Sequence, residues 1–332
     1  RRDYVLQMLA AKQVYSKDAN GNLITYALKN GRQDLADDVL SNTNNINVSM
    51  ALSEVLQKYP DGDKKREHIA DLIKTHALAH EDCAVIEKYL TSPCDSIDTK
   101  ATVINAAVAN GMDVSLEFVV RNILPVAGNE NTLSILDAYC SKKLVDDDVF
   151  RILNFACACK DSKTAVGALD CLKRGNQYVL VPSKTVIAML SERDLTASDK
   201  ISILDKLFEF KVEAKSVEAV MTNYLCFNQD PVATRKEVIL YLLEKSPQLP
   251  TSTVQNYVLK CAVDGNEKPA IVKAIFDKGL NTSFFNELLS KYMNSSTDSN
   301  EVKAEITDIL SGGGLKIDPS SFIEYICGTQ AD

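Results

Sequence analysis

The sequence predicts an all-α fold, an α-solenoid of stacked antiparallel helical hairpins with a period of about 34–35 residues. Three observations lead there. Apolar residues recur at helical spacing along nearly the whole chain, in segments of about 10 to 15 residues set apart by Gly, Pro, Asn, Asp and Ser. Convincing strand patterns do not occur. A helix-ending phrase also returns at a near-constant interval through the second half.

The interval is read from two sets of positions. One helix of each pair ends in a phrase such as Leu169-Asp-Cys-Leu172-Lys-Arg-Gly175 or Ala274-Ile-Phe276-Asp-Lys-Gly279. Aligning Leu172, Phe208, Leu243, Phe276 and Leu310 gives steps of 36, 35, 33 and 34 residues. The partner helices lead with Phe150, Val186, Val217, Val254, Phe285 and Phe322, at steps of 36, 31, 37, 31 and 37. A two-helix unit cannot cover its own apolar face, so such units stack and extend one continuous core. Residues 146–332 are therefore expected to form the regular hairpins. Residues 1–145 form an irregular helical-repeat region continuous with them, with a soft boundary at Asp146-Asp147-Asp148. In that first region helices are expected at 22–40, 47–59, 64–78, 83–91, 98–110, 115–124 and 132–142.

Single elements carry their own signals. From Ser198 to Phe210, Ile201, Leu204, Leu207 and Phe208 form an apolar stripe, and Asp199, Lys200, Asp205, Lys206 and Glu209 are expected to face water. Asp230-Pro231 and Asp318-Pro319 each offer a capping carboxylate followed by proline at the first helical position.

Bulk chemistry narrows the function. The net charge of −8 over 332 residues does not indicate a strongly basic nucleic-acid surface, so any such binding must come from a local basic face. Nine cysteines, an odd number set mostly in apolar runs, fit buried thiols in a reducing, intracellular compartment better than a disulfide framework. No apolar run approaches the roughly 20 residues needed to span a bilayer, so no membrane insertion is expected. The chain opens at Arg1-Arg2-Asp3 without a methionine, which suggests that a leader or a preceding region has been removed.

Catalytic and metal-binding patterns are thin. His76 and His80 lie four apart, where one helix face could hold zinc with Glu81, Asp82 or Cys83; an exposed polar helix end explains them as well. Cys157-Ala-Cys159 lacks the spacing of zinc or redox pairs and reads as core packing. Ser311-Gly-Gly-Gly314 follows a helix and lacks a completing Lys-Ser/Thr, so it reads as a helix end and linker, not a phosphate cradle. Lys64-Lys65-Arg66 reads as a solvated helix start. No catalytic residue, cofactor, resident metal or small-molecule substrate is expected.

Gly313-Gly-Leu-Lys-Ile-Asp-Pro-Ser-Ser-Phe322 and the unit beginning Phe150-Arg-Ile-Leu-Asn-Phe resemble pentatricopeptide repeats of the leucine-rich, acidic mitochondrial type. The resemblance covers about six units from Asp146 onward. A weaker, local likeness to ankyrin repeats runs over 18–31 and 262–279, without the Thr-Pro-Leu-His phrase of that family. The pentatricopeptide resemblance implies single-stranded RNA as a ligand, read by the residue after each aromatic or branched lead of the first helix. Those residues are Arg151, Ile187, Glu218, Gln255, Asn286 and Ile323, of which Arg151, Gln255 and Asn286 suit base or phosphate contact. It further implies organellar RNA metabolism or translation in the mitochondrial matrix, with a protein partner alongside. The other reading is a purely protein-binding solenoid, an ankyrin-like adaptor or effector, in the cytoplasm.

Overall fold

A computed structural model describes residues 16–41, 46–75, 80–210, 214–245, 251–261, 265–278, 285–295, 298–312 and 323. Among them the protein is all-helical, with eighteen α-helices and no strand. In chain order these are α1 (Lys17–Lys29), α2 (Gln33–Leu40), α3 (Val48–Lys58), α4 (Asp63–Thr75), α5 (His80–Leu90) and α6 (Ile97–Ala109). Next come α7 (Leu116–Asn122), α8 (Asn129–Cys140), α9 (Asp146–Ala158), α10 (Ser162–Arg174), α11 (Ser183–Leu190) and α12 (Ala197–Glu209). The last six are α13 (Ala214–Phe227), α14 (Val232–Lys245), α15 (Thr251–Lys260), α16 (Lys268–Asp277), α17 (Phe285–Ser295) and α18 (Asn300–Gly312).

Local chemistry sets many of these starts. Ser16, Asn47, Ser96 and Ser115 each accept the backbone N–H three residues on, and Thr196 with Asp199 forms a reciprocal capping box. The expected helix at 22–40 is two helices. Gly31 sits at φ 67° between α1 and α2, a left-handed conformation that ends the first helix. Asp230 does not serve as the cap suggested by its proline neighbour, because its carboxylate is drawn into the core. Asp318 lies outside the described residues.

The chain divides into two compact units, one of residues Arg1–Leu153 with Asp170–Gln177, the other of Asn154–Leu169 with Tyr178–Asp332. In the first, α1, α3 and α5 pack in series, as do α4, α6 and α8. In the second, α11, α13, α15 and α17 form one row and α12, α14, α16 and α18 another. Within these rows each helix packs on the next but one, and hairpin partners such as α3 with α4 and α13 with α14 close the space between rows. Even-numbered helices from α4 to α18 begin at Asp63, Ile97, Asn129, Ser162, Ala197, Val232, Lys268 and Asn300, steps of 32 to 36 residues. The same spacing therefore runs through the region before residue 146.

The core is mostly aliphatic, but it also contains cations. Lys200, expected to face water, is fully buried near the start of α12. Its ammonium donates to the carbonyl of Leu190, 2.7 Å away at the end of α11, and pairs with buried Asp230 just before α14. Asp230 also accepts the Tyr224 hydroxyl of α13 at 2.6 Å, and the ammonium lies 5.9 Å from the Tyr224 ring.

The same clamp recurs twice. Lys268 of α16 donates to the Val258 carbonyl and to Asp298, beside the rings of Tyr257 and Tyr292. In the first unit Lys65 donates to the carbonyls of Leu56 and Tyr59 and pairs with Asp95, which also accepts the Tyr89 hydroxyl. Lys65 is 1% exposed, so the solvated basic cluster expected at 64–66 is corrected at its centre. Hydrophobicity scales send lysine to water; here each ammonium is met by a backbone carbonyl and a carboxylate, with a tyrosine ring beside it, which removes the main objection to burial.

Arg235 and Lys303 hold the corresponding places in α14 and α18, donating to the carbonyls of Leu225 and Met293. Each acceptor lies in the last turn of the preceding odd helix, where unsatisfied carbonyls and the helix dipole favour a cation. The lysine closes its own hairpin, and the aspartate and tyrosine come from the next one. At the same phase α8 and α10 carry buried Thr132 and Ala165. There the loops are tied by Lys142 to the Val108 carbonyl and by Gln177 to the Lys142 carbonyl at 2.7 Å.

Gly175, at the end of α10, marks a close approach of two backbones in the first unit. A Cβ there would stand 2.2 Å from the carbonyl oxygen of Cys140 at the end of α8. Since backbone must move to admit it, Gly175→Ala is expected to lower the unfolding free energy by about 1–3 kcal/mol. Urea denaturation followed by circular dichroism measures this, and a variant as stable as the parent contradicts the close approach.

Candidate binding surface

The outward faces of α12, α14, α16 and α18 carry a ladder of charged and aromatic side chains. Asp205 of α12 accepts the Tyr241 hydroxyl at 2.6 Å and the Lys245 ammonium at 2.9 Å, both from α14. Phe208 lies against Tyr241 with ring centroids 6.2 Å apart. Glu244 of α14 pairs at 2.9 Å with Lys278, just beyond α16, and within α16 Lys273 pairs with Asp277. Because successive even helices are offset by one hairpin, these partners are 34 to 40 residues apart in sequence. A groove of about 420 Å³ opens between α14, α16 and α18 beside this ladder.

The residues proposed from sequence to read bases each have their own surroundings. Arg151 of α9 is held at 2.8 Å by Asp148 and at 3.1 Å by Glu117 of α7, so two carboxylates already neutralise its guanidinium. Gln255 is half-buried on α15, next to Thr253, whose hydroxyl bonds that of Thr222 at 2.6 Å. The side chain of Asn286 lies outside the described residues. Ile187 and Glu218 are half-buried and Ile323 is exposed.

Other sequence candidates resolve locally. His76 and the side chain of His80 lie outside the described residues; among those described, no group of three His, Cys, Asp or Glu is placed to hold a metal. His68 sits 2.8 Å from Asp37, which also accepts Tyr59 at 2.6 Å and Lys64 at 2.8 Å. Burial pushes the Cys157 thiol up to about 12 and that of Cys159 to about 11, so both stay protonated and weakly nucleophilic at neutral pH. Helix α18 continues through Ser311 and Gly312, with the Ser311 hydroxyl donating to the Thr307 carbonyl. No helix of the described residues is long and apolar enough to cross a membrane.

Compared with known protein families, curated proteins and solved structures, the chain matches none.

The ladder titrates at its acidic end. The hydrogen bond from Tyr241, followed by that from Lys245, lowers the Asp205 carboxyl below its ordinary 3.8, and burial pushes the Tyr241 hydroxyl up. A carboxyl lowered on folding contributes stability above its ordinary pKa and loses that contribution as pH falls through the folded value. The α12–α14 bridge should therefore persist as pH falls through 3.8 and open only below it. The carbon-13 shift of the Asp205 carboxyl over a pH titration checks this; a midpoint at or above 3.8 contradicts the bridge.

Proposed function

We propose that the chain is a non-enzymatic binding scaffold, an α-solenoid whose even-helix face in the second unit engages a protein partner. The observation that carries this reading is the pairing of six surface cations. Arg151, Lys160, Arg174, Lys245, Lys273 and Lys278 each lie within 3.1 Å of a carboxylate. A phosphate backbone gains affinity by releasing counterions to free cations, and cations already paired with carboxylates offer little of that gain. Protein surfaces, by contrast, are met by mixed charges around apolar grooves. The net charge of −8 points the same way.

A reducing compartment accords with the thiols. No disulfide joins the eight described cysteines, and six of them are buried.

The RNA reading rests on Gln255 and on the pentatricopeptide resemblance, and one experiment separates it from the protein reading. Labelled single-stranded RNA is titrated with the full chain at about 50 mM and about 200 mM salt. The protein reading predicts no saturable binding at the lower salt. Saturable binding that weakens steeply with salt would overturn it in favour of RNA.

A further inference from the structure

The groove between α14, α16 and α18 has an ordered lining. Position by position, α14 presents Lys236 and Leu240, α16 presents Ala270 and Ala274, and α18 presents Glu305 and Ile309. Each pair is four residues apart, one turn along its helix, and corresponding members of neighbouring helices are 34 or 35 residues apart. The groove therefore has one polar tier, Lys236–Ala270–Glu305, and one apolar tier, Leu240–Ala274–Ile309. On the middle helix Ala270 and Ala274 form the floor together with Pro269 and the paired Lys273, Asp277 and Lys278, and the longer side chains of α14 and α18 form the walls.

The charges on the two walls are opposite and unanswered. Among the described residues, Lys236 and Glu305 are exposed and take part in no ion pair or hydrogen bond. Their neighbours on this face, Lys245, Lys273 and Lys278, are all paired with carboxylates. With α16 lying between α14 and α18, the groove keeps a cation on one side and an anion on the other.

We propose that this groove takes a single amphipathic helix of a protein partner, laid along α16. Its apolar ridge rests on Ala274 between Leu240 and Ile309, with an acidic side chain against Lys236 and a basic one against Glu305. Between the paired charges of α16, the methyl side chains of Ala270 and Ala274 leave room for the incoming helix to approach within the 8–10 Å range of helix packing. The floor runs from Ala270 to Lys278, about 12 Å or two turns, so the engaged segment is two to three turns long. A helix lying in an apolar groove is an established mode of peptide recognition, and the two wall charges fix which way the ligand faces. The site is small, which suits a transient contact. A nucleic-acid strand fits it poorly, because Lys236 is its one unpaired cation among the described residues and Glu305 and Asp277 stand beside it.

The proposal rests on the scaffold reading, and its test can fail separately. A yeast-displayed library of amphipathic helices of about 14 residues, four turns, is sorted against the full chain. Enriched sequences should carry Asp or Glu on one flank of the apolar ridge and Lys or Arg on the other. Ala270→Arg, at an exposed groove position, should weaken their binding at least tenfold. The swap Lys236→Glu with Glu305→Lys should enrich sequences whose flanks are exchanged. Clones that bind Ala270→Arg undiminished would place recognition elsewhere, sinking the groove while leaving the scaffold intact. No enrichment, or a charge order indifferent to the swap, overturns the groove site. A concentration-dependent dimer in sedimentation that Ala270→Arg abolishes would assign the groove to a second copy of the chain and overturn the partner class. The swap changes only exposed residues, so its outcome stands even if Ala270→Arg folds poorly.

Discussion

Burying an ammonium is tolerable only if its charge is paired and hydrogen-bonded, and that requirement organises the packing of this protein. At Lys65, Lys200 and Lys268 the acceptors are a carbonyl at the end of the preceding helix and an aspartate before the next even helix, and a tyrosine of the next odd helix lays its ring beside the ammonium and donates its hydroxyl to that aspartate. In each case lysine and aspartate are 30 residues apart, and tyrosine and aspartate six apart. One hairpin cannot complete the arrangement, and a neighbour shifted by one residue along the stack would leave the cation short of an acceptor. A buried pair of this kind adds little net stability over an apolar pair of equal volume, but breaking it is costly. Aliphatic contacts supply the bulk of the burial energy. The clamps decide which contacts form.

Fixed register has a consequence at the surface. When successive even helices repeat at a near-constant offset, a side chain on one helix meets partners about one hairpin further along the chain. Asp205 reaches Tyr241 and Lys245, and Glu244 reaches Lys278, by this rule. The groove along α16 follows from it too, since Lys236, Ala270 and Glu305 stand in one tier only if α14, α16 and α18 are in phase. The order of the core is thus carried outward to the face that we assign to partner binding.

Helix content and spacing were plain in the sequence, because amphipathic periodicity is a local property. The expected helices at 47–59 and 98–110 appear as Val48–Lys58 and Ile97–Ala109. Lys200 was misread because it lies in a helix whose other charged residues point to water, and nothing within a turn of it marks it for burial. Its signal lay at longer range: the pairs Tyr89/Asp95, Tyr224/Asp230 and Tyr292/Asp298 each follow a lysine whose number is 24 below that of the tyrosine. Lys236 and Glu305 were illegible for another reason. Their opposition across the groove depends on the rotation of three helices, and an error of one residue turns a side chain by 100°. Arg151 was legible as an exposed cation but not as a paired one, since Glu117 is 34 residues away.

The account stands or falls on the coupling between a clamp lysine and its aspartate. A double-mutant cycle on Lys200→Met and Asp230→Asn, read by urea unfolding of the full chain, measures it directly. Each single change leaves a buried group without its counterpart and should cost about 3–5 kcal/mol for the lysine and less for the aspartate. The double variant should recover part of that loss, giving a coupling of more than about 1 kcal/mol. Single variants within about 0.5 kcal/mol of the parent, with losses that simply add, would show that Lys200 and Asp230 are passengers in a stack held by apolar packing alone.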